Sequence, residues 1–283
     1  MNTFDHFISY ETRLGSSKFY DKRKYSIVAK TIYQDLIEKK SYNNFPNLIK
    51  SFDLNDAYKI QDAFLNFMNL GGFGKICGWK MALTSAVMQK MIGCLSPCCG
   101  AIFSKNLLSS PAEIHFKNYI NLGVETELAV RINKDLKPRA NPYTISTIKP
   151  AVDSCMAAIE IIDDRNINYN DLDLPSLIAM NAFNSGVVLG PEVKVENISN
   201  FTNLNGKMYI NGLVKGKGKT SDTLGSPLNS LVWLANKLNE MGKYLKASDI
   251  IMTGSIAPTR WPKKGDTISS SFYGIEESVL KIL

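Results

Sequence analysis

The segment Gly123-Val-Glu-Thr-Glu-Leu-Ala-Val-Arg-Ile132 constrains this chain more than any other. β-Branched and apolar residues dominate it, proline is absent and glycine stands only at its entry, so it predicts a β-strand. Side chains of a strand alternate between its two faces. Val124, Thr126, Leu128, Val130 and Ile132 therefore share a core face, and Glu125, Glu127, Ala129 and Arg131 share the other. Two carboxylates about 7 Å apart on one rigid surface repel each other unless something offsets their charge. A hard divalent cation such as Mg²⁺ or Mn²⁺, which takes oxygen ligands at about 2.0–2.2 Å, is one solution. A solvated strand face, with Arg131 as the neutralising neighbour, is the other.

The remaining sequence narrows the classes available. With 283 residues, 45% of them hydrophobic, the chain can bury a large core as one domain or as a main domain with a smaller one. No apolar run approaches the roughly 18 residues of a membrane span, and the polar start Met1-Asn-Thr-Phe-Asp-His-Phe7 has no signal-peptide core, so a cytoplasmic location is expected. The five cysteines (Cys77, Cys94, Cys98, Cys99, Cys155) form no metal-type Cys-x-x-Cys pair and read as reduced thiols. The net charge of +7 is spread along the chain in short clusters such as Lys215-Gly-Lys-Gly-Lys219. A nucleic-acid binder concentrates its basic residues on one face, so the excess suits an acidic small substrate better.

Hydrophobic periodicity predicts helices over 25–40 (Ile27, Val28, Ile32, Leu36, Ile37) and 55–69, the second stopped by Gly71-Gly72. Residues 1–24 read as an irregular extension. A strand is expected over 76–83, then a short helix 86–92 capped by Thr84 or Ser85 and ended by Gly93. A Pro/Cys/Gly loop, a short strand 101–103 and the carboxylate strand follow. The segment 144–157 reads as helical and 158–162 as a strand; 180–189 and 207–214 are further strand candidates, with turns at Asn205-Gly206 and Asn211-Gly212. Ser226-Pro227 is a clear helix start, and 249–255, 266–272 and 278–283 read as strands. Many strands with scattered helices imply an α+β chain.

Three further features point to chemistry. Glu160 lies between Ile159 and Ile161, where a carboxylate is costly unless paired, metal-bound or turned out to water. With Glu125 and Glu127 it makes a three-carboxylate set that one dication would largely neutralise. Lys80 interrupts the apolar strand Gly78-Trp-Lys-Met-Ala-Leu83; half-buried near a dication it would have a lowered pKa and serve as a proton shuttle, or it snorkels to the surface. Thr253-Gly254-Ser255 ends a strand with a permissive glycine and two hydroxyls, which suits a carboxylate or carbonyl.

Five blocks occur in order: Gly78-Trp-Lys-Met-Ala-Leu-Thr-Ser85, Gly123-Val-Glu-Thr-Glu-Leu-Ala129, Ala158-Ile-Glu-Ile-Ile-Asp-Asp-Arg165, Leu224-Gly-Ser-Pro-Leu-Asn-Ser-Leu-Val-Trp-Leu-Ala235 and Ser248-Asp-Ile-Ile-Met-Thr-Gly-Ser255. Together they resemble the 2-keto-4-pentenoate hydratase / 4-oxalocrotonate decarboxylase family of the fumarylacetoacetate hydrolase superfamily, from roughly residue 25 to the C-terminus. The resemblance implies a mixed β-sandwich roll of the superfamily's C-terminal type, here residues 76–283, with a smaller helical N-terminal part over 25–75. It implies Mg²⁺ or Mn²⁺ on Glu125, Glu127 and Glu160. Lys80 and Glu125 would be catalytic, and Leu83, Arg165, Asn181, Thr253, Gly254 and Ser255 would bind substrate. A homo-oligomer is expected on the same ground.

The sequence departs from that family at two places. A Pro-Asp-(aromatic)-Gly loop is replaced by Pro97-Cys98-Cys99-Gly100, and Ala-Asp-Asn by Ala179-Met180-Asn181. Both exchanges remove a carboxylate, which points to an altered substrate or reduced activity with metal binding kept. The expected activity is metal-dependent hydration of a 2-hydroxypenta-2,4-dienoate-type acid to a 4-hydroxy-2-oxo acid. Alternatives are decarboxylation of a 2-oxo-3-hexenedioate, with Arg165 and Arg260 as a second carboxylate pocket; acylpyruvate-type carbon–carbon hydrolysis, which resembles its relatives in needing a His-Glu pair when only His6 and a packing His115 exist; and a non-catalytic metal- or oxo-acid-binding homologue.

Overall fold

A computed structural model describes residues 16–42 and 52–283. In chain order its helices are α1 (Ser16–Ile37), α2 (Leu54–Met68), α3 (Ala86–Ile92), α4 (Ile145–Ile148), α5 (Leu174–Ala179) and α6 (Pro227–Glu240). Its strands are β1 (Ile76–Ala82), β2 (Cys98–Phe103), β3 (Leu107–Ser109), β4 (Ala112–Ile114), β5 (Leu122–Ile132), β6 (Val152–Asp163), β7 (Asn184–Leu189), β8 (Val193–Lys194), β9 (Asn205–Ile210), β10 (Leu213–Lys219), β11 (Ile250–Ser255), β12 (Thr267–Phe272) and β13 (Ile275–Ile282).

The strands form two sheets. The larger runs β2-β1-β11-β5-β6-β7-β3, with β8 also on β6, and β2 comes round to lie beside β7. The strip is thus rolled, with an inner face and an outer face. The inner face carries Ile102, Ala129, Met156, Ala158, Val187, Leu189, Ile250 and Met252 at one end. Strand alternation places Lys80, Glu125, Glu127 and Glu160 on that same inner face toward the other end. The second sheet, β10-β9-β12-β13-β4, packs against the outer face of β5–β7: Met208, Ile268, Leu280 and Ile282 meet Val124, Ile159, Ile161 and Val188. The helices cover the remaining outer face, where Ile32, Ile60, Phe64 and Leu231 share one core with Trp79, Leu128 and Val130. This is the mixed β-sandwich roll with a helical N-terminal part that the resemblance implied.

Local signals explain many boundaries. Ser85 accepts a hydrogen bond from the Met88 N–H and Gly93 closes α3 in the left-handed conformation, as read from the sequence. Ser226 caps α6 in front of Pro227. Other boundaries differ from expectation. α1 begins at Ser16, so the second part of the expected extension is helical; residues 17–24 contain no glycine or proline and are rich in helix-tolerant charged side chains. Its stripe also shifts: Val28 and Ile32 are buried, whereas Ile27 and Ile37 face solvent. Residues 152–157, expected in a helix, belong to β6, because Ser154-Cys-Met-Ala-Ala158 is buried on both faces and loses the alternation that marks a strand. Cys98–Gly100, expected in a loop, begin β2. His115, expected to pack in a strand, is exposed just beyond β4. His6 lies outside the described residues.

Candidate metal centre

Glu125 and Glu160 are directly opposed across the β5–β6 ladder, and Glu127 lies one side-chain repeat further along β5. One ligand oxygen from each of the three carboxylates falls within 4.8 Å of the others. Glu127 and Glu160 are fully buried and Glu125 is partly exposed.

Each carboxylate is oriented by a neutral protein donor, and Glu160 also by Lys80. The Gly254 N–H donates to Glu127 Oε2 at 2.8 Å, the Asn184 side-chain amide donates to Glu160 Oε1 at 2.9 Å, and the Thr259 hydroxyl donates to Glu125 Oε1. Gly254 has φ +112°, and a Cβ there would stand 2.2 Å from Thr84 Oγ1, so only glycine can carry this donor so close to the β1–α3 turn. Glu127 Oε1 and Glu160 Oε2 remain buried with no hydrogen-bond partner. A desolvated carboxylate oxygen without a donor is costly. Two of them aimed into one acidic cluster form a donor set that fits a hard divalent cation.

Lys80 enters the cluster from across the roll. Its Nζ lies 3.1 Å from Glu160 Oε1 and donates to the Ala182 carbonyl at 3.2 Å. Burial alone would drive off its proton, but Glu160, Glu125 and Glu127 outweigh that and hold the ammonium above its ordinary value. The sequence expectation of a lowered pKa assigned that effect to a bound dication; with the three carboxylates as its neighbours, the shift of Lys80 runs upward. Burial raises Glu127 well above the usual carboxylate value, reinforced by Glu160 and Glu125 and opposed by Lys80. Burial raises Glu160 too, with Lys80 pulling it down.

The Ala182 carbonyl is delivered by an unusual turn. Asn181, Ala182 and Phe183 all have positive φ (56°, 48° and 61°), a conformation that side chains disfavour. The Asn181 amide fixes the turn by clamping Ala101 on both sides: its Nδ2 donates to the Ala101 carbonyl at 2.9 Å and its Oδ1 accepts from the Ala101 N–H at 2.6 Å. Gly100 makes the approach possible, since a Cβ there would meet the Asn181 carbonyl at 2.6 Å.

The other residues of interest separate into two groups. Leu83, with φ 57°, turns the chain out of β1 and so brings Thr84, the next residue, against Gly254. Thr253 donates to the Leu128 carbonyl at 2.8 Å and Ser255 to the Ala257 carbonyl at 2.7 Å, so both hydroxyls are tied to backbone beside the cluster. Arg165 and Arg260 are not brought to it. Arg260 donates to the Lys215 carbonyl, and Arg165 is buried against Met180 and feels Asp35 and Asp163 but none of the three glutamates. Cys98 pairs with Ala82, two residues from Gly100, and thus faces inward toward Lys80; burial pushes its thiol well up although Lys80 draws it down, so it stays a neutral S–H. No histidine among the described residues joins the cluster. A groove of about 550 Å³ lined by Tyr58, Pro97, Leu224, Trp233 and Lys237 includes none of the three clustered glutamates.

Sequence reading missed Asn184, Thr259 and the Ala182 carbonyl. Asn184 had a weak signal, a polar residue opening the apolar run Gly186-Val-Val-Leu189. Thr259 had none: it reaches Glu125 because Val124 and Arg260 exchange backbone hydrogen bonds at 2.8 and 3.0 Å.

Fold and site together define a rolled mixed sheet with a buried three-carboxylate, one-lysine centre. The chain belongs to the fumarylacetoacetate (FAA) hydrolase C-terminal family, whose model matches residues 101–281. It is 28% identical over 219 residues to a 2-keto-4-pentenoate hydratase of Burkholderia vietnamiensis, covering 77% of this chain and 82% of that one. It is 28% identical over 253 residues to a 2-oxo-hept-4-ene-1,7-dioate hydratase of Escherichia coli, covering 88% and 94%. Among solved structures it is similar to a 4-oxalocrotonate decarboxylase of Pseudomonas putida G7 complexed with magnesium and adipate, with a TM-score of 0.86, 25% identity and coverage of 92% of this chain and 98% of that one.

Proposed function

We propose that this protein is a divalent-metal-dependent hydratase that converts a 2-hydroxypenta-2,4-dienoate-type acid into a 4-hydroxy-2-oxo acid. The observation that carries the reading is the pair of buried, partnerless oxygens on Glu127 and Glu160 beside Glu125; the hydratase names of its relatives support the reaction class. Glu125, Glu127 and Glu160 hold Mg²⁺ or Mn²⁺. Such an ion supplies an electron sink for a substrate carboxylate and its neighbouring 2-oxygen.

The chain's own groups manage protons and position. Lys80 Nζ has three N–H bonds, of which Glu160 and the Ala182 carbonyl engage two. The third is free for the substrate, and Lys80 moves the proton that leaves the 2-hydroxyl and arrives at C5 as the dienol becomes an α,β-unsaturated ketone. Water then adds at C4, its proton passing to C3, with Glu125 as the partly exposed base. Leu83, Asn181 and Thr253–Ser255 line the cleft: Asn181 through the turn it clamps, Gly254 through the N–H it gives to Glu127. Cys98, inward-facing and neutral, stands where a carboxylate is usual and alters the tail the cleft accepts.

A second reading, decarboxylation of a 2-oxo-3-hexenedioate, is favoured by the likeness to the decarboxylase structure. Purified protein assayed on both substrates with Mg²⁺ separates them. The expected result is Mg²⁺-dependent 4-hydroxy-2-oxo acid, lost in Glu125→Ala. Release of CO₂ from the dicarboxylate with no hydration would replace the first reading by the second. Background turnover on both, with Mg²⁺ still raising the melting temperature, would make the protein a metal-binding homologue without activity.

A further inference from the structure

Helix α2 sends the side-chain amide of Gln61 fully into the interior. Its Nε2 donates to two backbone carbonyls from distant parts of the chain, that of Cys99 in β2 at 2.8 Å and that of Ile178 in α5 at 2.9 Å. Both partners are acceptors, so the nitrogen end of the amide must face them, and both of its hydrogens are used. Its Oε1 is buried with no partner. That orphan acceptor costs stability, and an unbranched apolar side chain would fill nearly the same space without it. The Ile178 carbonyl also accepts from the Met180 N–H, so it does not need the amide to be satisfied. Neither packing nor satisfaction of the helix end accounts for a glutamine here.

The two carbonyls share a place around Lys80. Lys80 stands directly opposite Gly100 across the β1–β2 ladder, and its Nζ donates to the Ala182 carbonyl at 3.2 Å. Cys99 precedes Gly100 in β2, and Ile178 lies in the last turn of α5, shortly before Ala182. The segments on the two sides of Lys80 are therefore cross-linked twice, once before and once after Gly100. Gln61 joins Cys99 to Ile178, and the Asn181 amide joins Ala101 to the turn. Gly100, where a Cβ would stand 2.6 Å from the Asn181 carbonyl, lets the two segments touch. Gln61 thus sets the spacing at the end of α5, from which the left-handed turn 181–183 departs.

We infer that Gln61 is a positioning residue for Lys80: by holding β2 and the end of α5 at one spacing, it holds the Ala182 carbonyl that directs the Lys80 ammonium. The helical N-terminal part reaches the reaction centre through this one side chain, which does not itself join the carboxylate cluster. The inference rests on the reading of Lys80 as the proton carrier of a hydratase or a decarboxylase.

The test compares Gln61→Met, which keeps the volume and removes both donors, with Ile60→Ala, which empties the neighbouring and equally buried position of α2. Both are assayed with Mg²⁺ well below their melting temperatures, and both are crystallised. In Gln61→Met, kcat should fall about 10–100-fold, while KM and Mg²⁺ affinity stay within about threefold of the unaltered protein, because substrate binding and the three glutamates are left alone. Its Ala182 carbonyl should lie out of hydrogen-bond reach of Lys80 Nζ. Ile60→Ala should melt lower, yet its folded fraction should keep kcat. An unchanged kcat in Gln61→Met, an equal loss in Ile60→Ala, or an Ala182 carbonyl that has not moved overturns the inference. If Gln61→Met does not fold, Gln61→Glu decides. A buried, protonated carboxyl offers one donor in place of two, so its kcat should lie below that of the unaltered protein, and an equal kcat overturns the inference. Should the unaltered protein turn over neither substrate, the functional reading fails by itself, and the crystal comparison alone decides whether Gln61 places the Ala182 carbonyl.

Discussion

On β5, Glu127 and Ala129 point into the roll two residues apart; on β6, Glu160 and Ala158 do the same. The same two strands therefore line both ends of one interior. At the apolar end, Ala129, Ala158, Met156, Ile250 and Met252 interlock and leave no polar atom behind. At the other end, a few ångströms along the same ladder, three carboxylates converge and two of their oxygens have no donor. The apolar end gains from every atom it buries. The acidic end spends part of that gain to keep ligand atoms poised, and only a regular, well-packed neighbour can hold it in that state. The difference separates stability from chemistry along a single pair of strands.

That separation can be broken most decisively at Glu127. Glu127→Gln should lower turnover by about 10²–10³-fold, the range found when one preorganised group is removed from an active site. The metal-free protein should melt no lower than before, because a buried, raised carboxylate has been made neutral. A melting temperature lower by many degrees would show that this end also carries the fold. The mirror experiment is Ile250→Ala at the apolar end. Removing a buried isoleucine should cost about 2–5 kcal/mol of stability, while the folded fraction keeps kcat/KM within a few-fold. A large loss of activity in the folded fraction would mean the two ends are coupled.

A smaller effect is expected in the layer that orients the ligands. Asn184→Ala removes the amide that donates to Glu160, and Thr259→Val removes the hydroxyl that donates to Glu125. Each should weaken Mg²⁺ binding about 10–100-fold, read by titration calorimetry, with little change in melting temperature without metal. Unchanged Mg²⁺ affinity in both would show that the carboxylates orient themselves.

These two layers differ in how far the sequence reveals them. Glu125 and Glu127 are legible because they stand two apart in an unbroken β-strand run, so residue parity alone places both carboxylates on one face. Glu160 is legible as a charge in an aliphatic run. α6 is legible from Ser226-Pro227, a local cap whose meaning needs no tertiary context. The rest fails for identifiable reasons. β6 was hidden from 152 to 157 because burial on both faces erases the period of two. The left-handed turn at Asn181–Phe183 carries no glycine, so nothing local announces it; the clamp on Ala101, eighty positions away in the chain, holds it. Arg165 was legible as a charge but not as one held away from the cluster, since that depends on where Asp163, Asp35 and Met180 stand in three dimensions.

The smallest expected effect is a pH dependence, and its sign follows from the carboxylates. Glu127 and Glu160 hold their protons above the ordinary value of 4.5, chiefly through burial. Between 4.5 and those raised values the native state binds more protons than the unfolded chain, so stability falls as pH rises. Their contribution is therefore complete below 4.5 and is lost as pH climbs through the native values. Lys80, raised above 10.5, acts only at alkaline pH and leaves this window untouched. Mg²⁺ requires the carboxylates ionised, and binding it displaces their protons. The rise in melting temperature given by a fixed Mg²⁺ concentration should accordingly be small at pH 5 and grow by about a few degrees toward pH 8. At the apolar end the cluster side chains themselves do not titrate, although Asp249 and Cys77 flank them, so the loss caused by Ile250→Ala should change far less between the two pH values than the Mg²⁺ shift does. A Mg²⁺ shift equally large at pH 5 would mean that the ion does not compete with protons for Glu127 and Glu160, and the acidic end would then have to bind it through Glu125 alone.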